Sequence, residues 1–205
     1  MEKNGIFIVL EGPDGCGTTF HSANLTARLQ REGYNVLQTA EPTNGPIGRE
    51  IRRYISGHLP IPPTSLQLLF TADRALHCTE TIEPAIAAGH TVICDRYIPS
   101  TLAYGEAAGV DPLWLCKLNK NFIQPDALLY LLPPLSVCTR RLSQRIIRDA
   151  LESAAFQEHV YHVYQKLCSS DPCGQLIDSS GSKDDVMQQV FSVVQGILQP
   201  KSVLV

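Results

Sequence analysis

The chain has 205 residues, which suits one α/β domain with a full core, and its 44% of hydrophobic residues is ordinary for a globular protein. A net charge of -3 at pH 7 leaves no basic surface for polymeric nucleic acid, and the longest apolar run, 127–132, is far too short to span a membrane. Seven scattered cysteines without a C-x-x-C pair argue against zinc and predict free thiols in a reducing compartment, the cytoplasm.

Apolar strands alternate with helical patterns along the chain. Five consecutive apolar residues at 6–10 predict a strand buried on both faces. Further strands are predicted at 34–39, 91–94, 127–132 and 175–177. Helices are predicted at 18–31, 47–55, 65–88, 100–108, 112–121, 135–166 with a break near 148–153, and 184–198. This order predicts a single α/β domain over 1–205, with a five-stranded parallel sheet flanked by helices and ligands at the carboxyl ends of the strands.

A glycine-rich loop follows the first predicted strand, with Gly12, Gly15 and Gly17 within six positions. Glycine brings no Cβ between the backbone and a ligand, and a loop that opens a helix directs free N–H groups at an anion. The stretch fits the P-loop pattern G-x-x-x-x-G-K-[ST], with Thr19 as the hydroxyl for Mg²⁺. Thr18, however, stands where the pattern has Lys. A plain strand–helix turn is the alternative, which the spacing disfavours.

Further candidate residues lie downstream of the loop. Asp95 and Arg96 end the strand predicted at 91–94, where an acidic residue reaches Mg²⁺ in P-loop proteins. Phe70 and Arg74 share one helix face. One interpretation is that Phe70 stacks on a base and Arg74 hydrogen-bonds it, and the other is that Phe70 is a core residue and Arg74 a solvated cap. Three arginines repeat with helical spacing, Arg141, Arg145 and Arg148. They form either a solvated helix face or a row of positive charges that binds an anion.

In their order along the chain, these motifs resemble the thymidylate kinase family, P-loop enzymes that phosphorylate dTMP with ATP. The most specific stretch is D-R-Y-x-x-S-x-x-A-Y at 95–104. The others are the P-loop at 11–19, E-P at 41–42 with G-P-I-G at 45–48, L-F-T-A-D-R at 69–74, Q-P-D at 124–126 and a lid-like stretch at 145–156. The resemblance covers nearly the whole chain and implies the P-loop nucleoside-monophosphate-kinase fold with a lid at about 141–155.

The resemblance also implies substrates, partners and residue roles. The γ-phosphate of ATP would pass to dTMP with Mg²⁺ in a homodimer, without a nucleic-acid polymer or a membrane. ATP would contact the loop residues Gly12, Pro13, Asp14, Gly15, Cys16, Gly17, Thr18 and Thr19. dTMP would contact Asp14 (3′-hydroxyl), Phe70 (stacking on thymine), Arg74 (thymine), Arg96 (phosphate), Ser100 (base edge) and Tyr104 (under the deoxyribose). The catalytic group would be Arg145, Arg148, Arg96 and Asp14, and the metal pair would be Thr19 and Asp95.

Three positions depart from the family pattern. Thr18 replaces the P-loop Lys, Ala40 stands before Glu41 where many relatives have Arg, and Ile147 stands where relatives often have Asp. The first two remove positive charge, and loss of one preorganised donor typically costs roughly 10²–10³ in rate. The sequence therefore leaves open a slow enzyme, an enzyme that draws the charge from its lid, and a nucleotide-binding relative without turnover. A small P-loop kinase for another nucleotide is a further alternative.

Overall fold

The computed structural model describes residues 5–57, 60–144 and 153–198. Its strands are β1 Ile6–Glu11, β2 Val36–Ala40, β3 Thr91–Asp95, β4 Ala127–Leu131 and β5 Gly174–Ile177. They form one sheet in the order β2-β3-β1-β4-β5, and every pair of neighbours runs parallel. The predicted α/β fold with a five-stranded parallel sheet is confirmed, with the second strand shifted from the predicted 34–39 to the range of β2.

Helices connect and flank the strands. They are α1 Thr18–Arg31, α2 Pro46–Ile55, α3 Pro63–His77, α4 Glu83–Ala87, α5 Ile98–Ala107, α6 Pro112–Asn119, α7 Leu135–Ser143, α8 Ala154–Ser170 and α9 Lys183–Leu198. Over the ranges that the structure describes, no helix combines the length and the apolar character needed to cross a bilayer.

Two helices predicted as long are interrupted. The helix predicted at 65–88 begins earlier, at the start of α3, and passes through a π-helical segment, Cys78–Ile82, before α4. Pro84 accounts for this, because proline has no N–H and its ring crowds the carbonyl four residues earlier, a defect that a π-helical turn can absorb. The helix predicted at 135–166 ends with α7 and resumes with α8. The break predicted at 148–153 lies almost entirely outside the described residues.

The middle of the sheet is the most deeply buried part of the molecule. On one face, Leu10 of β1 belongs to a buried cluster with Leu25 of α1 and Val190 of α9. On the other face, Phe7 of β1 belongs to a cluster with Ile82 of the π-helical segment. Because β1 and β3 are fixed by packing on both sides, the loops that follow their carboxyl ends start from rigid points. These loops carry the candidate site.

Candidate active site

The glycine loop joins β1 to α1 in a conformation that glycine makes possible. Gly15 and Gly17 have φ values of 82° and 102°, which other residues adopt only with strain. A Cβ on Gly12 would lie 2.4 Å from the carbonyl oxygen of Leu131, so the approach of the two strands also requires glycine there. Within the described ranges, the amide N–H groups of Gly15, Gly17 and Thr19 donate to no protein acceptor. Free N–H groups at a helix start are suited to bind an anion.

The loop residues Pro13, Cys16 and Thr18 are buried. Cys16 is 1% exposed, its amide donates to Pro13 O at 3.2 Å, and burial raises the pKa of its thiol to about 12. It fills space and is not a reactive thiolate at neutral pH. Like the other six cysteines, it is a free thiol. Thr18, the first residue of α1, is 4% exposed and brings no charge to the loop.

Arg141 of α7 supports the loop from outside. Its Nη1 donates to Gly15 O at 3.1 Å and to Cys16 O at 3.4 Å, and its Nη2 donates to Ser179 O at 2.9 Å. Ser179 Oγ donates to Cys16 O as well, at 2.7 Å. Because α7 ends at Ser143, the described helix carries only this member of the predicted stripe of arginines. Arg145 and Arg148 lie outside the described residues.

Thr19 and Asp95 meet where the glycine loop faces the end of β3. Thr19 Oγ1 donates to Asp95 Oδ2 at 2.6 Å. Asp95 is 7% exposed, and its other oxygen, Oδ1, is buried without a hydrogen-bond partner among the described residues. A buried carboxylate oxygen is unfavourable unless a cation or a donor meets it. A hydroxyl and a spare carboxylate oxygen are hard oxygen ligands of the type that Mg²⁺ prefers, so the pair fits this metal.

Arg96 occupies the centre of the site. Its φ of 71° lies in the left-handed region that non-glycine residues rarely adopt. Its Nη2 donates to Asp14 Oδ1 at 2.6 Å, and its Nη1 donates to Gly12 O at 2.9 Å and to Ser100 Oγ at 3.2 Å. Burial lowers the pKa of the guanidinium, but the neighbouring Tyr104 and Asp14 outweigh it and raise the pKa above the usual value. A permanent positive charge is therefore held beside the glycine loop.

Glu11 connects the three chain segments around Arg96. Its Oε1 accepts from the Tyr97 amide at 2.6 Å, and its Oε2 accepts from Ser100 Oγ at 2.8 Å and from Tyr164 Oη at 2.9 Å. Burial raises the pKa of the Glu11 carboxyl, while Arg96 and these hydrogen bonds oppose the rise. The carboxyl group thus ties the end of β1 to the start of α5 and to α8.

A cleft of about 240 Å³ opens beside Arg96. Its lining contains all six residues expected to contact dTMP, which are Asp14, Phe70, Arg74, Arg96, Ser100 and Tyr104. Thr19 and Asp95 line the same cleft. The structure therefore brings together side chains that are up to 90 positions apart in the chain, counted from Asp14 to Tyr104. Glu41, Gln67 and Thr101 also line it, and the sequence did not single them out as site residues.

Arg74 is buried, which rules out a solvated cap. It is 1% exposed, and its Nη2 donates to Glu41 Oε2 at 2.7 Å, Tyr97 O at 2.8 Å and Thr101 Oγ1 at 3.0 Å. Its Nη1 donates to Asn119 Oδ1. Nε is buried and has no partner in the described part of the chain. The Nε–H of this guanidinium is therefore a candidate donor to a ligand.

The hydroxyl of Ser100 is engaged by the protein itself. It donates to Glu11 Oε2, accepts from Arg96 Nη1 at 3.2 Å and lies 2.8 Å from Tyr164 Oη. A hydroxyl has one donor and two acceptor lone pairs, so these contacts take up most of its capacity. Contact between Ser100 and a base edge stays a prediction.

Three of the site residues that were not predicted from the sequence are Glu11, Tyr164 and Glu41, and the local sequence indicates them to different degrees. An acidic residue directly after five apolar strand residues, as Glu11 is, could have been singled out as a buried carboxylate. Tyr164 of α8 carries no such signal, because nothing local shows that its helix packs against α5. Glu41 belongs to the E-P motif at 41–42, but its buried ion pair with Arg74 depends on the packing of two residues that lie 33 positions apart in the chain.

Comparison with known proteins decides the family. The family model described as thymidylate kinase matches residues 10–190. The chain belongs to the thymidylate kinase family. A "Thymidylate kinase" of Synechococcus sp. (strain JA-3-3Ab) is 37% identical over 93% of this chain and 95% of its own length. A "Probable thymidylate kinase" of Pyrococcus horikoshii is 36% identical over 93% and 96%, and a "Thymidylate kinase" of Thermomicrobium roseum is 35% identical over 94% and 96%.

Thymidylate kinase is a family of nucleotide-binding transferases that use ATP. The range matched to it contains the glycine loop, the Thr19–Asp95 pair and every residue of the cleft described above. The thymidylate kinase relatives are covered almost to their full length, so the similarity extends over the whole fold.

Proposed function

We propose that the chain transfers the γ-phosphate of ATP to dTMP, giving dTDP. The observation that carries the proposal is the single cleft in which Phe70, Arg74 and Arg96 lie beside Thr19 and Asp95. An aromatic ring suits the acceptor base and a guanidinium suits its phosphate, with a phosphate-binding loop adjacent. Phosphoryl transfer depends mainly on such positioning and on electrostatic stabilisation. The names of the relatives support the same reaction.

The acceptor is proposed to lie with its base on Phe70 and its phosphate on Arg96. Arg74 would donate from its free Nε to the base, and Tyr104 would lie under the deoxyribose. Asp14 accepts from Arg96 and, through Oδ2, from Gln157 Nε2 at 2.9 Å. A carboxylate has about four lone-pair sites, so Asp14 keeps capacity to accept from a sugar 3′-hydroxyl.

The donor phosphates are proposed to lie in the glycine loop, with Mg²⁺ beside them. Thr19 and Asp95 would hold the metal, which is supported by their contact and by the unpartnered Asp95 Oδ1. The chemistry that the ion would supply there is positive charge, which would offset the negative charge that develops on the phosphoryl group during transfer. With a neutral Thr18 in the loop, Arg145 and Arg148 are proposed as the cations that complete the site.

A homodimer is proposed through α3. Leu68 and Leu76 of this helix are 47% and 42% exposed and lie eight residues apart, close to one face. Analytical ultracentrifugation at micromolar concentration is expected to give a dimer, and a monomer that persists at higher concentration would refute the proposed homodimer.

The free thiols support a reducing compartment, for which we propose the cytoplasm. No nucleic-acid polymer is proposed as a partner.

The proposed reaction is tested by ADP release in a coupled assay with dTMP, dUMP, dCMP and thymidine as acceptors. We expect ADP to form with dTMP in preference to the others and only when Mg²⁺ is present. Preference for another acceptor would favour a small P-loop kinase with a different substrate. Nucleotide binding in a titration without ADP formation from any of the four would indicate a relative that has lost turnover.

Thr18→Lys measures the effect of the missing charge. A lysine at this position reaches the β- and γ-phosphates as a point charge, and the loop spacing already fits it. We expect a modest gain in ATP affinity or kcat, of about tenfold, the lower end of what one charged hydrogen bond contributes. Thr18→Met adds similar length without charge and is the matched control. An inactive wild type that Thr18→Lys activates would show that the natural chain is a binding protein.

A further inference from the structure

Gln67 occupies a place in the cleft that lies outside all of the family motifs named above. It lies on α3 three residues before Phe70 and seven before Arg74, spacings that place all three side chains on one helix face. All three line the cleft. Gln67 also lines a neighbouring, mainly apolar pocket of about 430 Å³, which it shares with Ile55 and Tyr104. Its side chain therefore stands at the junction of the two cavities.

The carboxamide of Gln67 is buried without a hydrogen bond to its oxygen. The residue is 2% exposed, and its Oε1 is a fully buried acceptor that has no partner in the part of the chain that the structure describes. Buried polar groups in native proteins are nearly always hydrogen-bonded, because an unpaired one keeps its full desolvation penalty. An unpaired acceptor on a residue that lines a cleft therefore points to a ligand donor.

Packing holds this carboxamide in place. A Cβ on Gly105 of α5 would lie 3.2 Å from Gln67 Cγ, so α5 packs closely against the glutamine stem. Thr71 Oγ1, one turn further along α3, donates to the backbone carbonyl oxygen of Gln67 at 2.8 Å and so bonds to the main chain that carries this side chain. The carboxamide is thus carried by one helix, packs near a second and does not depend on a loop.

The free hydrogen-bonding groups around Phe70 match a thymine edge. The Nε–H of Arg74 has no acceptor among the described residues, and a guanidinium can only donate. Thymine presents a carbonyl at position 4 and an N–H at position 3, so its edge needs one donor and one acceptor. Gln67 Oε1 supplies the acceptor that Arg74 cannot. Two other buried oxygens on residues of the cleft have no partner in the described part of the chain, Asp95 Oδ1 and Tyr104 Oη. The first belongs to the carboxylate that accepts from Thr19 and is the proposed metal ligand, and the second belongs to the residue proposed to lie under the deoxyribose.

We infer that Gln67 Oε1 accepts the N3–H of the acceptor pyrimidine and makes Gln67 a specificity-determining residue for thymine. This inference rests on the proposed function. Cytosine carries an unprotonated N3 and an amino group at position 4. Its N3 would place an acceptor against the acceptor Gln67 Oε1, and its amino group would place a donor against the donor Arg74 Nε–H. Sites that hydrogen-bond a substrate group reject analogues that lack it, because buried polar groups are then left unpaired.

The test measures kcat/KM for dTMP and for N3-methyl-dTMP with both the wild type and Gln67→Leu. It is a double-mutant cycle in which one change is made in the substrate and the other in the protein. We expect N3-methylation to lower kcat/KM by about tenfold or more in the wild type. Gln67→Leu is expected to lose about tenfold with dTMP and to show little further loss on methylation, because the two changes remove the same hydrogen bond. Gln189→Leu, an exposed glutamine of α9, is the matched control and should retain the wild-type methylation penalty.

Each outcome decides the inference. An equal methylation penalty in wild type and Gln67→Leu, or an unchanged kcat/KM for dTMP in Gln67→Leu, would overturn it. Gln67→Met serves as a second variant if Gln67→Leu is not folded by circular dichroism. If the wild type forms no ADP with dTMP, the proposed function fails, and the same cycle is then measured as dissociation constants by calorimetry. Coupling between Gln67 and the N3 position in those constants would support the inference, and its absence would overturn it.

Discussion

Arg96→Met is expected to lower kcat/KM for dTMP by roughly 10²–10³, the effect of removing one preorganised donor from a transition-state site. Arg96 is held by Asp14, Gly12 and Ser100, so its charge is positioned before any substrate arrives. Methionine keeps much of the stem but removes the fork that can hold a phosphate by two hydrogen bonds. The effect should therefore fall on the phosphate and spare the base.

Thymidine, which has no phosphate, gives the decisive comparison. Its dissociation constant, measured by calorimetry, should change little in Arg96→Met, whereas that of dTMP should rise strongly. Arg31→Met, on the exposed end of α1, is the control for loss of one surface charge. Equal losses for thymidine and dTMP would show that the acceptor phosphate does not lie on Arg96.

Arg74→Met is expected to lower the free energy of unfolding by about 3–5 kcal/mol, the usual result of removing one partner from a buried ion pair. The Arg74 and Glu41 side chains are 1% and 3% exposed, and their closest atoms are 2.7 Å apart. Without the guanidinium, Glu41 keeps only its 3.0 Å contact with His77 Nδ1 among the ion pairs of the described residues. The remaining carboxylate would then be buried with little compensation.

Urea unfolding, followed by circular dichroism and by the fluorescence of the single Trp114, measures this loss. Arg53→Met removes an exposed pair with Glu50 and should cost less than about 1 kcal/mol. The double variant Arg74→Met with Glu41→Leu should recover part of the stability, because it leaves no uncompensated charge. A loss from Arg74→Met no larger than that from Arg53→Met would show that the pair is not what stabilises this part of the fold.

The sequence predicts those features of the site that depend on local spacing. The glycine positions and the Thr19 hydroxyl define the loop, and helical periodicity places Phe70 and Arg74 on one face. Both follow from backbone geometry, which repeats every few residues. For the same reason α1 was predicted with its observed bounds, 18–31.

What the sequence did not predict depends on partners far along the chain. Spacing alone does not show that Arg74 is paired with Glu41 from the β2 end, or that Ser100 is engaged by Glu11 and Tyr164. Such pairings are decided by how helices pack on the sheet, and one sequence carries no direct record of that packing. The π-helical segment does have a local signal, Pro84, which lies inside the single helix predicted at 65–88.

The left-handed turn at Arg96 has a geometric consequence for the proposed reaction. Asp95 and Arg96 are consecutive, so their Cα atoms are about 3.8 Å apart across one rigid peptide plane. The carboxylate of the first contacts Thr19, on the proposed donor side, and the guanidinium of the second contacts Asp14, on the proposed acceptor side. With Arg96 at a φ of 71°, the two neighbouring side chains would each serve one of the two proposed reactants. In the proposed reaction, covalent geometry would therefore fix the distance between the backbone positions from which the donor and acceptor sites are held.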